Sequence, residues 1–421
     1  MSKPVAPRSQ AAAGKWQQHY RAAIARGDFA GAITAALAFA RANPKASGPW
    51  SDAAACAVHC ERWDDAIRYG QAAVQRGAQT PNACDALAHA HGAKRQWAQA
   101  AQWGLRALAM KDAATPPAPA WRAPAVLPPP PGPETRQLNL IAFSLFGSRS
   151  KYCEPAVLNA IEQPGVYPHW ICHFYVDGSV PPDVVRRLRA HGAKVIVVDG
   201  ALGKWPGPMW RFAALDEPGV HRVLFRDADS LIGAREAEAV AQWVESGRCF
   251  HHMRDSGSHT ALMLAGTWGA VGGALPTVAP LVEAFLTRPV ASQRFADQDF
   301  LARCIWPTAK QDMLCHDSIF GFMNALPFPG DGPPGGSDLS FAEGGSHVGC
   351  AEGVPVFNCP ASLPEGAAVT WQLFERRGSG QWPLTSAYPA VVRNGAVSDN
   401  IPARFARRLG GPDLRFRIEA V

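Results

Sequence analysis

The stretch VHRVLFRDADSLIGAREAEAVAQW (residues 220–243) opens on a short apolar run and stops on two aspartates, Asp227 and Asp229. The run reads as a strand heading into a core, and the amphipathic pattern behind it reads as a helix. The acidic pair therefore falls at a strand-to-helix junction. Such a charged stop is either an ordinary polar loop or a place where something positive is held.

The flanking sequence supplies the frame. LNLIAFSLFG (138–147) reads as a buried strand and EPAVLNAIEQ (154–163) as a helix. WICHFYVDGS (170–179) is a strand ending in Asp177, PPDVVRRLRAHG (181–192) a helix with proline at its start, and KVIVVDG (194–200) a third strand. MWRFAALDE (209–217) predicts a further helix just before the aspartate strand. Strands alternating with helices predict an α/β domain built on a mainly parallel sheet. Ligands of such sheets sit at the C-terminal ends of the strands, where Asp177, Asp227 and Asp229 all fall.

The chain has 421 residues, enough for two or three domains. Its 47% hydrophobic and 18% charged residues are those of a foldable globular protein. Net charge is +6, but the 41 Lys and Arg are scattered, so no nucleic-acid arm is expected. No stretch approaches the length of a membrane span, and the N-terminal residues lack the apolar core of a signal peptide. Ten cysteines without a CxxC pair or zinc spacing read as reduced thiols. A cytoplasmic location is the expectation.

Residues 13–114 are alanine-rich and helical throughout, and they carry a period of 34 residues. Phe29, Trp63 and Trp97 recur in GDFAGAI, ERWDDAI and RQWAQAA; Ala32, Ala66 and Ala100 follow in phase. Ala54 with Ala88, Trp16 with Trp50, and Ala73 with Ala107 keep the same phase. Pro44 closes the first unit. Small residues at fixed places let paired helices approach, while an aromatic fills the groove between neighbours. This region resembles three tetratricopeptide (TPR) repeats, starting near 13, 47 and 81. It departs from the pattern at Phe39, where a small residue is expected, and at Ala36, Gly70 and Gly104, where an aromatic is expected. Peptide binding, a scaffold and self-association all stay open as its role. TPPAPAWRAPAVLPPPPGPE (115–134) is a semi-rigid proline-rich linker, GDGPPGGSD (330–338) a flexible loop, and the tail from 363 a set of short strands and turns. The expected organisation is thus a helical repeat domain (1–114), a linker (115–135), an α/β domain (136–362) and a β-rich extension (363–421).

A bare DxD is weak evidence: with 21 aspartates in 421 residues, chance supplies about one. The chain contains two, DAD at 227–229 and DQD at 297–299. Asp297 and Asp299 open a helical pattern, where carboxylates favour the positive end of the helix dipole. Asp227 and Asp229 instead close a strand. Carboxylates at i and i+2 leave an extended chain on the same side and can share one hard divalent cation through oxygen. That cation would neutralise the charge developing on a departing diphosphate.

Residues 138–328 resemble the metal-dependent, GT-A fold glycosyltransferases that use nucleotide-sugar donors. The resemblance rests on RVLFRDADS, YVDGS and MWRF, with HHMRDSGSHTALMLAGTWGAVGG and then FADQDFLARCIWP and HDS following in order. It implies a Rossmann-like GT-A sheet, a nucleotide-diphosphate sugar donor, Mn²⁺ or Mg²⁺, and a protein or glycan acceptor. By this resemblance Asp227 and Asp229 hold the metal and the diphosphate, and Ser144, Phe146 and Asp177 line the nucleotide pocket. Arg211 and Arg226 either reach the phosphates or serve as ion-pair residues. LMLAGTWGAVGG (262–273) would form the acceptor and sugar wall, or else a tight connection between elements. Asp255, Asp297 or Asp299 would contact sugar hydroxyls or act as the base that an inverting reaction needs. His316 or His347 would be a further metal ligand, His347 on a loop shaped to close over the donor; as isolated histidines both also read as structural. Two other functions stay open. A sugar nucleotidyltransferase would want a glycine-rich phosphate loop after the first strand, whereas FSLFGSRSKY offers only Gly147 with Arg149 and Lys151. A TPR adaptor with a non-catalytic nucleotide-sugar-binding domain is the second.

Overall fold

The computed structural model describes residues 8–289, 292–336, 339, 347–352, 356–376, 378 and 380–421. It divides into two compact units. One comprises the chain up to residue 119 with 252–264 and 314–347; the other comprises 120–251, 265–313 and 348–421.

The first unit is built on three helix pairs: α1 (Arg8–Ala25) with α2 (Phe29–Ala42), α3 (Gly48–His59) with α4 (Trp63–Gln75), and α5 (Asn82–Ala93) with α6 (Trp97–Ala113). The 34-residue aromatics Phe29, Trp63 and Trp97 are the first residues of α2, α4 and α6. The phased alanines Ala32, Ala54, Ala66, Ala73, Ala88, Ala100 and Ala107 are all fully buried, as close helix pairing demands. The departures from the repeat also have a packing cause. A Cβ on Gly70 would lie 2.7 Å from Leu87 Cγ, and one on Gly104 would lie 2.4 Å from Phe320 Cδ1. The side chain that fills each groove comes from a neighbouring segment, so the helix itself must supply no bulk. Gly92 and Gly257 cross as closely, a Cβ on Gly92 falling 2.8 Å from Gly257 Cα.

In the second unit, the strands β1 (Asn139–Leu145), β2 (Ile171–Val176), β3 (Lys194–Val197) and β4 (Arg222–Arg226) are joined through α7 (Ser150–Val166) and α8 (Pro182–Ala190), and α9 (Ala234–Ser246) follows β4. With β6 (Thr267–Val271) they run side by side in the order β3-β2-β1-β4-β6, while the segments β5 (Phe250–Arg254) and β7 (Met313–Asp317) each run on into residues of the first unit. β1 pairs parallel with both β2 and β4, β2 pairs parallel with β3, and β6 runs antiparallel to β4. The sheet is therefore mostly parallel but mixed. Every residue of β1, β2 and β4 is buried, which matches their unbroken apolar reading. The helix expected over 209–217 is instead a 3₁₀ segment, Gly207–Asp216. Pro206 and Pro208 withhold amide donors at its start, and the Trp210 indole donates to Trp205 O at 3.0 Å, tightening the turn.

The tail is β-rich, with strand pairing beginning ahead of residue 363. β8 (Val356–Pro360) pairs antiparallel with β11 (Ala396–Asn400), and β9 (Ala368–Glu375) lies between β10 (Leu384–Val391) and β12 (Leu414–Ala420). Buried Glu154 of α7 accepts two hydrogen bonds from Arg187 at 2.7 and 2.9 Å and one from the Tyr388 hydroxyl at 2.6 Å. One carboxylate thus ties α7, α8 and β10 together. Of the predicted loop 330–338, residues 337 and 338 lie outside the described residues, as do 340–346, where the lid before His347 is expected.

Candidate functional site

β1 sends its chain to β2 on one side while β4 lies on its other side, so the C-terminal ends of β1 and β4 flank a topological switch point. Ser144 sits near the end of β1, Asp177 follows β2, and Asp227 follows β4. The sheet topology alone brings these three to one edge.

Arg211 organises the centre of that edge. Its side chain is 3% exposed, and Nη1 donates to Arg226 O at 2.7 Å and to Asp227 Oδ1 at 2.6 Å. Nη2 donates to Asp297 Oδ2 at 3.0 Å. Asp297 opens α11 (Ala296–Phe300), so one guanidinium joins the strand-end acidic motif to the helix-start one. The Arg211 amide donates to Ser144 Oγ at 3.0 Å, fixing the 3₁₀ segment to β1. Burial raises the Asp297 carboxyl above its usual range even though Arg211 opposes the shift. Arg211 stays charged, its partners Asp227 and Asp297 outweighing the cost of burial.

Asp227 is 46% exposed, and its carboxylate lies over Gly266. A Cβ there would be 2.1 Å from Asp227 Oδ2, so position 266 has to be bare. The segment expected as a sugar wall therefore has separate packing tasks along its length. Gly266 clears Asp227, residues 267–271 form buried β6, and a Cβ on Gly272 would lie 1.9 Å from Val220 O. Asp229 is held by its backbone, its carbonyl accepting from Glu352 N at 2.6 Å. Its carboxyl is pushed up by burial and then by the charge of Asp227, with Lys151 pulling the other way. Buried Asn159 clamps the turn beyond, donating to Ser230 O at 2.8 Å and accepting from Ile232 N at 3.0 Å.

The remaining expected residues fall at several places. Arg226 points into the core, where it pairs with Glu236 at 3.0 Å, and the same Glu236 oxygen accepts from Tyr167. Strand alternation forces this, because Arg226 and Asp227 face opposite sides. Asp177 accepts from Ser179 N at 3.0 Å, and Ser179 Oγ in turn accepts from Gly147 N at 2.6 Å, linking the loops after β2 and β1. Phe146 is 42% exposed and meets Trp210 edge to face, with ring centroids 5.5 Å apart. Asp299 pairs with Arg303 on the helix surface at 2.7 Å. Asp255, His316 and His347 belong to the first unit. There the Asp255 amide donates to His259 Nδ1 at 2.9 Å, His316 is fully buried in β7 against Phe328, and His347 packs edge-on to His259. Among the described residues no three of His, Cys, Asp and Glu converge as a metal-binding group. Lys151, Asn159 and Gly266 are additions to the expected set. Lys151 and Gly266 lie in stretches weighed for function by sequence, whereas Asn159 lies in EPAVLNAIEQ, read only as a helix, and nothing local marks it.

No family model matches the chain, and no curated protein matches it. Solved structures similar to parts of it include the TPR2B-domain:pHsp70 complex of yeast Sti1, at 17% identity over 24% of this chain and 82% of that one, with a TM-score of 0.24. A Thermobaculum terrenum O-GlcNAc transferase mutant aligns at 16% identity over 46% of this chain and 42% of that one, with a TM-score of 0.26. S. aureus TarS 1–349 aligns at 15% identity over 42% of this chain and 57% of that one, with a TM-score of 0.28. The chain thus spans less than half of the O-GlcNAc transferase and little more than half of TarS. Likenesses this faint leave function to be read from the residues.

Proposed function

We propose that the α/β unit is a metal-dependent glycosyltransferase that moves a sugar from a nucleotide-diphosphate donor to a hydroxyl of a protein or glycan acceptor. The supporting observation is the meeting of Asp227 and Asp229 with Arg211 at the β1/β4 switch point, where a nucleotide ligand of such a sheet belongs. The donor set suits a hard cation. Asp227 and Asp229 are close enough for one charge to raise the other's pKa, and Gly266 leaves the outer oxygen of Asp227 unobstructed by a side chain. Mn²⁺ or Mg²⁺ held by this pair would offset the charge of the departing diphosphate.

The chain's own groups do the rest. Arg211 holds Asp227 in one orientation, which lowers the reorganisation needed on donor binding. Lys151 adds positive charge on the Asp229 side, where phosphate oxygens would lie. Ser144, Phe146 and Asp177 would line the nucleoside pocket. Of the expected bases, Asp297 is the one that Arg211 joins to Asp227, and a base is needed only if the anomeric centre inverts. The helical repeats would recruit the acceptor or an assembly partner. A second reading, donor binding without turnover, is favoured by one contact: Arg211 already neutralises part of the charge on Asp227.

The test is a thermal-shift screen of nucleotide-sugars with Mn²⁺ on the wild type and on Asp229→Ala. Ligand at a hundredfold excess over its Kd stabilises by about 2.7 kcal/mol. One donor class should stabilise the wild type and leave the variant unmoved, and should be hydrolysed slowly by the wild type alone. Equal stabilisation of both proteins sinks the proposed cation site; stabilisation without hydrolysis or transfer selects the binding reading.

A further inference from the structure

A cavity of about 300 Å³ lies where the loop after β1 meets the C-terminal strands, and the proposed function does not use it. Its volume is at the lower end of the roughly 300–1,000 Å³ typical of ligand sites. Ser148 and Arg149 line it from the loop, and Val391, Arg393, Ser398 and Asp399 line it from β10, β11 and the turn between them. Local contacts hold both walls. Arg393 and Ala396 exchange backbone hydrogen bonds at 2.8 and 3.0 Å across Asn394 and Gly395, whose φ angles of 53° and 70° make the tight hairpin turn that an Asn-Gly pair favours. Ser150, next to Arg149, sets its Oγ 2.9 Å from Asp399 Oδ1 and 2.5 Å from Asn400 O, so the tail is tied to the start of α7.

The charges around the cavity do not balance. Among the described residues Asp399 is the one carboxylate in the lining, and both its oxygens are taken. Oδ1 accepts from Asn400 N at 2.7 Å, and Oδ2 accepts from the Trp371 indole at 2.8 Å. Arg149 and Arg393 are exposed, and neither side chain has a hydrogen-bonding or ionic partner among the described residues. Two uncompensated guanidinium forks thus border one small space. Such forks pair bidentately with carboxylate or phosphate oxygens. The lining also holds the Ser148 and Ser398 hydroxyls, suited to the hydroxyls of a sugar, and the half-exposed Val391, suited to the C–H face of its ring. Among the described residues no aromatic side chain lines the cavity, so it lacks the kind of pocket that anchors a peptide.

We infer that this cavity binds an anionic sugar unit of a glycan, its carboxylate or phosphate on Arg149 and Arg393 and its ring against Val391. Ser148 and Arg149 follow Phe146 and Gly147 in one loop, which sets the cavity beside the expected nucleoside pocket. An acidic glycan held there suits the acceptor side of the transfer proposed above. That role rests on the glycosyl-transfer reading; the binding does not.

The experiment uses the full chain without metal or nucleotide. Fluorescein-labelled trigalacturonate and mannose 6-phosphate are titrated by anisotropy, beside the methyl-esterified trimer and mannose as neutral counterparts. At least one acidic saccharide should bind saturably, and its neutral counterpart at least tenfold more weakly; the saccharide that binds names the anionic group. Arg149→Gln and Arg393→Gln should each weaken binding at least tenfold, and since both side chains are exposed and unpaired their loss spares the fold. Arg189→Gln, at an exposed arginine of α8 outside the cavity, and Asp229→Ala should leave binding unchanged. Because the assay contains no donor, a failed donor screen leaves this result standing. Five results would overturn the proposal: no saturable acidic saccharide, equal binding of the neutral form, cavity variants no weaker than Arg189→Gln, loss of binding in Asp229→Ala, or displacement by inorganic phosphate or a Glu-Asp-Glu peptide as effective as by unlabelled saccharide.

Discussion

Arg211→Met measures what one buried guanidinium contributes to the stability of the acidic edge. The side chain is buried and shared by two carboxylates of unequal exposure, 46% for Asp227 and 8% for Asp297. The Asp227 limb is half in water, so solvent screening limits its worth to about 1 kcal/mol or less. The Asp297 limb is different, because removing Arg211 strands a buried carboxylate, which costs about 3–5 kcal/mol. Methionine keeps much of the volume, so the loss is electrostatic. At about 2–4 °C per kcal/mol for a domain of this size class, the α/β unit should melt roughly 10 °C lower. Asp297 has its carboxyl raised in the folded state, so the folded chain binds that proton more tightly than the unfolded one. Acidification through the folded pKa therefore favours folding, and the Arg211→Met deficit should shrink as the pH falls. Adding Asp297→Leu to Arg211→Met removes the stranded charge and should recover most of the loss. Urea and thermal unfolding followed by tryptophan fluorescence measure all three proteins. A single variant within 1 kcal/mol of wild type, or a double variant no better than the single, would refute the buried-charge account.

Two further outcomes follow from particular contacts. Gly266→Ala places a methyl 2.1 Å from Asp227 Oδ2 and must push the carboxylate aside. Since a half-exposed side chain can swing outward, stability should fall by only about 1 kcal/mol, while Mn²⁺-linked stabilisation drops at least tenfold in apparent affinity; an unchanged Mn²⁺ titration would show that Asp227 is not a ligand. His173 lies buried in β2, with Nδ1 lacking a hydrogen-bond partner among the described residues, and burial assisted by Lys194 lowers its pKa from 6.5 to about 4. The folded state thus favours the neutral ring, a contribution present above pH 6.5 and lost progressively toward pH 4. At 1.36 kcal/mol per pKa unit the full loss is about 3 kcal/mol. His173→Gln should flatten the stability–pH curve across that window by this amount, and parallel curves for the two proteins would contradict the burial.

The strands of the parallel core were legible because each is a short apolar run between turn residues, and burial on both faces removes the need for alternation. The repeat was legible through Phe29, Trp63 and Trp97, since a 34-residue period of large side chains survives an alanine-rich background. What stayed hidden depends on residues distant in sequence. Gly70 and Gly104 read as departures from a repeat until Leu87 and Phe320 are seen to occupy the space an aromatic would take. Asn159 clamps the turn after Asp229 by a bond to Ser230 O, 71 residues away, and nothing in EPAVLNAIEQ announces it. The 3₁₀ segment around Arg211 carries an apolar pattern compatible with an α-helix, and the prolines at its start decide against that.

The same limit explains the two acidic motifs. Local context correctly assigned DAD to a strand end and DQD to a helix start, and that difference favoured the first as a functional site. Yet Asp227 and Asp297 share one arginine, 16 residues from one and 86 from the other. An ion pair between elements leaves no periodic trace, because only its two ends are constrained and the chain between them is free to vary. Separating the motifs by context therefore identified their places in the fold but concealed their coupling. The charged stop of β4 is one arm of a three-residue bridge. Its inner arm, Asp297, is buried, and its outer arm, Asp227, is half exposed. A change at the inner arm should be felt first in melting, and a change at the outer arm first in cation binding.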